Sequence, residues 1–170
     1  MELWDAYTIE EEITSTILQR DHPIPIGLYH VVVEIIVITN NHQVLITKRD
    51  PVKTFPLQWE ITGGSVLLGE TKEQGAIREL FEETGIQASV EEITCLHRTV
   101  GVDYLFYSFV CQKEIDESII TLQPGETIDY QIIPFREFEE MLHSGKIVNT
   151  INDRYQNYRH KLYTTIGYQP

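Results

Sequence analysis

The stretch from Thr71 to Gly85 leaves little choice of local structure. Thr71-Lys72-Glu73-Gln74 has the Thr-x-x-Gln form of a capping box, which satisfies free N–H groups at the start of a helix. Gly85 supplies a residue that readily adopts the left-handed conformation that stops one. Between them Ala76, Ile77, Leu80, Phe81 and Thr84 recur at helical spacing and are expected to form the buried face. Glu79, Glu82 and Glu83, spaced i, i+3, i+4, then project to the other side. Like charges so placed disfavour a helix by roughly 0.2–0.5 kcal/mol per pair. An acidic side on an amphipathic helix is usually only a solvated face. A hard divalent cation would remove the repulsion, and Mg²⁺ prefers carboxylate, carbonyl and water oxygens. Gly63 and Gly64 precede the helix, are expected to end a strand, and can present a carbonyl to such a cation.

The rest of the chain bounds the setting. Its 170 residues suit one domain, with enough core to fold without disulfides or a structural metal. The longest apolar run, Val31–Ile38, is interrupted by Glu34 and is strand-sized, far short of a membrane span. Thirteen Lys and Arg against 26 Asp and Glu give a net charge of −13. That argues against a nucleic-acid polymer as partner, because such binding runs on neutralising phosphates with Lys and Arg. A small phosphorylated ligand is compatible, since divalent cations bridge acid to phosphate. Cys95 and Cys111 are too far apart for a CxxC pair and are expected as reduced thiols in strands. Met1-Glu2-Leu3-Trp4-Asp5 does not resemble a signal peptide, so the cytoplasm is the expected location.

A Pro/Gly-rich joint, Asp21–Gly27, separates an N-terminal arm (1–27) from a single domain over 28–170. Tyr29–Thr39 and Val44–Thr47 flank the turn residues Asn40–Gln43 and are expected to pair as a hairpin. Further strands are expected at Leu57–Thr62, Ser89–Arg98, Asp103–Gln112 and Thr127–Ile133. A second helix begins near Pro134, with Phe135, Phe138, Met141 and Leu142 as its stripe and Gly145 at its end. A third covers Asn149–Leu162. The class is α+β (mixed α/β).

Spacing extends the acidic helix into a longer pattern. Gly64, five residues, Glu70, seven residues, Arg78-Glu79-Leu80, one residue, Glu82-Glu83, one residue and Gly85-Ile86 follow without a gap. Nine such matches would arise by chance on the order of 10⁻⁸ in a chain of this length at typical residue frequencies. The pattern resembles the signature of the Nudix hydrolases at every defined position. The resemblance implies an α/β/α sandwich around a mixed sheet, with the signature as loop–helix–loop. It implies that Glu82, Glu83 and the Gly63 carbonyl are metal ligands, and that Glu79 is either a ligand or the base that activates water. Arg78 would orient the signature carboxylates, with Glu70 as its structural partner. The expected cofactor is Mg²⁺, with Mn²⁺ as a substitute. The expected reaction is hydrolysis of a diphosphate linkage in a nucleoside diphosphate derivative or related small metabolite.

In some members the base lies on a later loop, and Glu126, in the turn Gln123–Thr127, is the candidate here; Asp103 and Glu114 are weaker ones. Lys48, Arg49 and Lys53 could contact phosphate, Arg49 foremost. Trp4-Asp5, Pro23-x-Pro25-x-Gly27, Tyr29-His30, Lys48-Arg49 and Trp59 also resemble the branch similar to isopentenyl-diphosphate isomerase. Isomerases of that branch use a cysteine where Trp59–Gly64 has none, which disfavours isomerisation. A non-catalytic nucleotide-sensing module is the other alternative; such modules often lose signature glutamates, and all three are present. The arm and the last helix could pack on their own domain or across a homodimer.

Overall fold

The computed structural model describes residues 2–170. Nine strands and three α-helices follow in the order β1 (Leu3–Tyr7), β2 (Ile13–Gln19), β3 (His30–Ile38), β4 (Gln43–Arg49), β5 (Trp59–Glu60), β6 (Thr62–Ser65), α1 (Lys72–Thr84), β7 (Ile93–Val100), β8 (Tyr104–Gln112), β9 (Thr127–Pro134), α2 (Phe135–His143) and α3 (Asn149–Ile166). Seven strands form one mixed sheet. Its path is β5-β4-β3-β8-β7, with β6 on β3 and β9 on β4. β3 and β8 run parallel, and the other pairs are antiparallel.

β3 reads as a nearly unbroken Val/Ile run because both faces of the sheet are covered. Val31, Val33, Ile35 and Val37 point to the α1 side, where they meet Ala76, Leu80, Leu105, Tyr107 and Phe109. Ile36 and Ile38 point to the other side, with Phe135, Phe138, Ile151, Tyr155, Tyr158 and Leu162 from α2 and α3. The layers are therefore helix, sheet, helices. α3 packs on its own domain, and it runs to Ile166, four residues past its expected end.

Several expected boundaries shift. The β3–β4 hairpin is joined at a single register pair, Ile38↔Val44. Beyond it the strands splay, β3 taking β6 and β8 as partners and β4 taking β5 and β9. Gly63 and Gly64 do not end a strand; they lie within β6, opposite Glu34 and Val33. A Cβ on Gly63 would overlap the Val33 carbonyl, so close strand approach requires glycine. Ser89 caps a short 3₁₀ turn (Val90–Glu92), so β7 starts at Ile93.

The N-terminal arm is itself a β-hairpin, β1 against β2, with a small core of Trp4, Ala6 and Leu18. Tyr7 exchanges backbone hydrogen bonds with Tyr29 at 2.8 and 2.9 Å. Leu68 and Gly69 donate N–H groups to the Leu3 carbonyl and the Asp5 carboxylate. The arm is thereby fixed beside the loop that leads into α1. Cys95 and Cys111 are both free, half-buried and buried respectively. Among the described residues no helix is long and apolar enough to cross a membrane.

Candidate active site

α1 sets the site, and its own ends fix it. The Gln74 N–H donates to Thr71 Oγ1 at 3.2 Å and the Thr71 N–H to Gln74 Oε1 at 2.8 Å, completing the capping box. Gly85 closes the helix at φ +76°. α1 presses close to the sheet side at Gly75, where a Cβ would crowd Val66. This rotates the buried stripe to Gly75, Ala76, Leu80, Glu83 and Thr84. Phe81, expected inside, is 49% exposed, and Glu83, expected on the acidic outer side, is 2% exposed. Glu79 is largely buried and Glu82 exposed, so the three carboxylates lie at three depths.

Arg78 organises two of them. Its Nε and Nη2 donate to the two oxygens of Glu70 at 2.7 and 3.0 Å, and Nη2 also reaches the Ser65 carbonyl at 2.9 Å. Nη1 donates to Glu79 Oε1 at 2.9 Å and Glu82 Oε2 at 3.0 Å. All five N–H donors of the guanidinium are thus committed within the protein. Burial opposes its charge, but the bonds to Glu70 and Glu79 outweigh that and raise its pKa further. Burial likewise works against the Glu70 carboxylate, and the bonds from Arg78 and the Leu67 N–H overcome it, holding Glu70 below its ordinary value. A Cβ on Gly64 would overlap the Glu79 carboxylate, so the glycine makes the space that carboxylate occupies.

A second acidic group lies deeper. Burial, followed by repulsion from Glu60, pushes the Glu83 carboxyl up to about 8. Burial also raises Glu60, against the attraction of Lys53 and Arg49. Lys53 Nζ lies 3.9 Å from both Glu60 and Glu83 and forms a close ion pair with Glu126. Arg49 pairs with Glu60 and donates to the Thr54 carbonyl at 2.6 Å. Glu83 Oε2 and Glu60 Oε1 are buried without a hydrogen-bond partner among the described residues.

Arg49, Gly63, Arg78, Glu79, Glu82, Glu83 and Glu126 all line one cleft of about 720 Å³. Glu70 stands behind it, holding Arg78. Asp103 and Glu114 are not among its lining residues; Glu114 accepts the Asn40 N–H at 2.9 Å. Lys48 lies over the Trp59 ring, 5.6 Å from its centre, and His30 stacks on Trp4 at 4.2 Å. Glu60 escaped the sequence reading. Its available signal was an acid between Trp59 and Ile61 in an apolar strand, a position that requires a partner. Glu2, Trp4 and Arg20 also line the cleft, and nothing in the arm's sequence marks them for that.

Among the described residues no three His, Cys, Asp or Glu side chains are gathered to hold a metal ion. Arg78 draws Glu79 and Glu82 to itself, and Lys53 draws Glu126. The donors nevertheless suit a hard cation. They are oxygens, they share one cleft, and the innermost includes a buried oxygen that nothing among the described residues satisfies.

Residues 28–150 match the NUDIX domain family. The chain is 31% identical over 153 residues to an uncharacterized Nudix hydrolase of Listeria monocytogenes, covering 87% of this chain and 89% of that protein. It is 32% identical over 107 residues to the CTP pyrophosphohydrolase of Escherichia coli, covering 58% of this chain and 79% of that one. The crystal structure of DR0079 from Deinococcus radiodurans superposes with a TM-score of 0.73 over 92% of this chain and 99% of that one; at 17% identity this is a likeness of fold. The intact run from Gly64 to Ile86, the layered fold around it and the match over most of the chain agree: this protein belongs to the Nudix hydrolases, enzymes that act on acid anhydrides.

Proposed function

We propose that the protein is a Mg²⁺-dependent hydrolase that cleaves the diphosphate linkage of a nucleoside diphosphate derivative or a related phosphorylated metabolite. The observation that carries this reading is the buried, unpartnered Glu83 oxygen in the same cleft as Glu79, Glu82 and Gly63. Burying a polar oxygen without a hydrogen-bond partner is costly, and such a group in a cleft is a candidate for completion by a ligand. The activity of the Escherichia coli relative on CTP is of the same chemical kind.

Glu79, Glu82, Glu83 and the Gly63 carbonyl would hold the metal. When bound, it supplies charge neutralisation for the diphosphate and lowers the pKa of a water molecule. Arg78 fixes the orientation of Glu79 and Glu82 through a guanidinium that Glu70 and the Ser65 carbonyl hold in turn. Glu126, on the turn before β9, is the proposed base that takes the proton from the attacking water. It is solvent-accessible and lines the cleft, and its partner Lys53 is a single charge on a flexible stem, also at the cleft wall. Glu79, more enclosed and tied to Arg78, is the alternative base. Arg49 is committed to Glu60 and Thr54, so a substrate contact would be made from this fixed position at the cleft wall.

Product analysis by chromatography tests the proposal. Purified protein is incubated with nucleoside diphosphate derivatives, dinucleotides, nucleoside triphosphates and isopentenyl diphosphate, with Mg²⁺ and with chelator. Cleavage at a diphosphate linkage that chelator abolishes is expected. Isomerisation of the prenyl diphosphate alone, or turnover indifferent to chelator, overturns the reading.

A further inference from the structure

Among the described residues four basic side chains line the cleft: Arg20, Arg49, Lys53 and Arg78. Arg78 spends all its donors on Glu70, Glu79, Glu82 and the Ser65 carbonyl. Arg49 is fixed by Glu60, the Thr54 carbonyl and Thr54 Oγ1. Arg20 pairs at the mouth with Glu2. Lys53 is placed differently. Its ammonium lies among carboxylates from three distant segments: Glu60 of β5, Glu83 of α1 and Glu126 of the turn before β9. Only Glu126 is within hydrogen-bond reach; 3.9 Å to Glu60 and to Glu83 is too long for a hydrogen bond. Lys53 therefore serves the two buried acids as a diffuse counter-charge, and each keeps an oxygen without a partner among the described residues.

The loop that carries Lys53, residues 50–58, is held weakly by its other side chains. Val52, Phe55 and Leu57 are 82%, 49% and 51% exposed and add little to the core. Phe55 and Leu57 take left-handed backbone angles, φ +55° and +63°, which side chains of this size disfavour. Most of the loop's hydrogen bonds are local: the Lys53 N–H donates to the Asp50 carbonyl and the Val52 N–H to Asp50 Oδ1. Lys53 is thus the side chain that ties this loop to α1. Glu60 and Glu83 repel one another, and one ammonium compensates them only in part. A divalent cation would compensate them more fully. It could not share the same few ångströms with Lys53, because a partly buried site screens repulsion between cations poorly.

We propose that Lys53 is an internal counter-ion of Glu60, Glu83 and Glu126 that competes with the divalent cation for the cleft, and that cation binding displaces it and releases the 50–58 loop. The proposal rests on the metal assignment above and adds a competitor to it. The exchange is reciprocal: the factor by which the Lys53 contact weakens cation binding is the factor by which the cation weakens the Lys53 contact. Displacement also frees Glu126 from its ion pair, so the proposed base becomes available once the cleft is loaded.

Two readouts on the full chain, both taken without substrate, test this. In the first, the electron paramagnetic resonance signal of free Mn²⁺ gives the Kd. Lys53→Met, with the fold intact by circular dichroism, should bind Mn²⁺ at least about fivefold more tightly than the parent. Lys48→Met removes the same charge from a lysine that lies over Trp59 and does not line the cleft, and should change Kd less than about twofold. In the second, acetylation by a water-soluble active ester is followed by mass spectrometry with Mg²⁺ and with chelator. Lys53 should react at least about fivefold faster with Mg²⁺, while Lys113, paired with Glu92, keeps its rate. An unchanged Kd in Lys53→Met, an equal gain in Lys48→Met, or Lys53 reactivity indifferent to saturating Mg²⁺ overturns the proposal; Mn²⁺ binding by the parent then leaves the metal assignment standing. If neither the parent nor Lys53→Met binds Mn²⁺, the metal assignment fails and this proposal with it. If both readouts come out as expected and no anhydride is cleaved, the hydrolase reading fails and this assignment stands.

Discussion

Glu34 and Glu83 are equally buried, each 2% exposed, on opposite faces of the same sheet. Glu34 receives four hydrogen bonds, from Arg154, Ser108 and Tyr158. Glu83 has one lysine at 3.9 Å, a repelling Glu60 nearby and an oxygen with no partner. The first is a carboxylate completed by the fold. The second is a carboxylate the fold leaves incomplete. Burial alone therefore does not distinguish an acid the fold completes from the one proposed to take a metal; the state of its partners does.

Four substitutions sharpen this contrast or break it. Glu82→Gln should lower kcat by about 10³-fold or more, roughly 4 kcal/mol of lost transition-state stabilisation, with little change in thermal midpoint. Full Mg²⁺-dependent turnover in that variant would refute the ligand assignment. Arg154→Met should act the other way, leaving Glu34 buried and unpaired at a cost of about 3–5 kcal/mol, read as a fall in the urea midpoint. Stability within about 1 kcal/mol of the parent would show that Glu34 is not held as described. Glu126→Gln should lower kcat about 10²-fold with an unchanged melting curve, consistent with a general base at an exposed turn. An unchanged rate would move the base to Glu79. Thr71→Ala, which removes the cap of α1, should cost about 1 kcal/mol in chemical denaturation and reduce activity only through misplacement of the helix.

Local signals carried the acidic helix well. Thr71, Gln74 and Gly85 act within a few residues of one another, and the structure has the cap, the box and the left-handed stop that their identities require. The stripe of α2 was legible for the same reason, and Phe135, Phe138, Met141 and Leu142 are all buried. The periodicity of α1 was less informative about which face lies inward. Gly75 lets the helix approach Val66, and that tertiary contact turns Phe81 out and Glu83 in. The cleft brings Arg49, Glu83 and Glu126 together, as expected of a site built from distant segments. Its other walls depend on pairing that no local pattern encodes. Glu60 enters through the β4–β5 ladder, and Trp4 through a hairpin tied to Tyr29 and Gly69. The pairing of Glu34 with Arg154 was invisible for the same reason, because it needs α3 laid across β3 and β8.

That crossing also bears on how the chain acquires its structure. β3 finds its parallel partner 74 residues later, at Ser108, and Glu34 finds its counter-charge 120 residues later, at Arg154. Contacts this distant in sequence form slowly, since a long loop must close before either is made. During synthesis the Val/Ile-rich β3 emerges long before β8 and α3 exist to cover it. The nascent chain thus passes through an interval with an adhesive strand exposed, a species prone to self-association. Glu34 gives that strand a charge in its middle throughout the interval, and the same residue later anchors the helix that ends it.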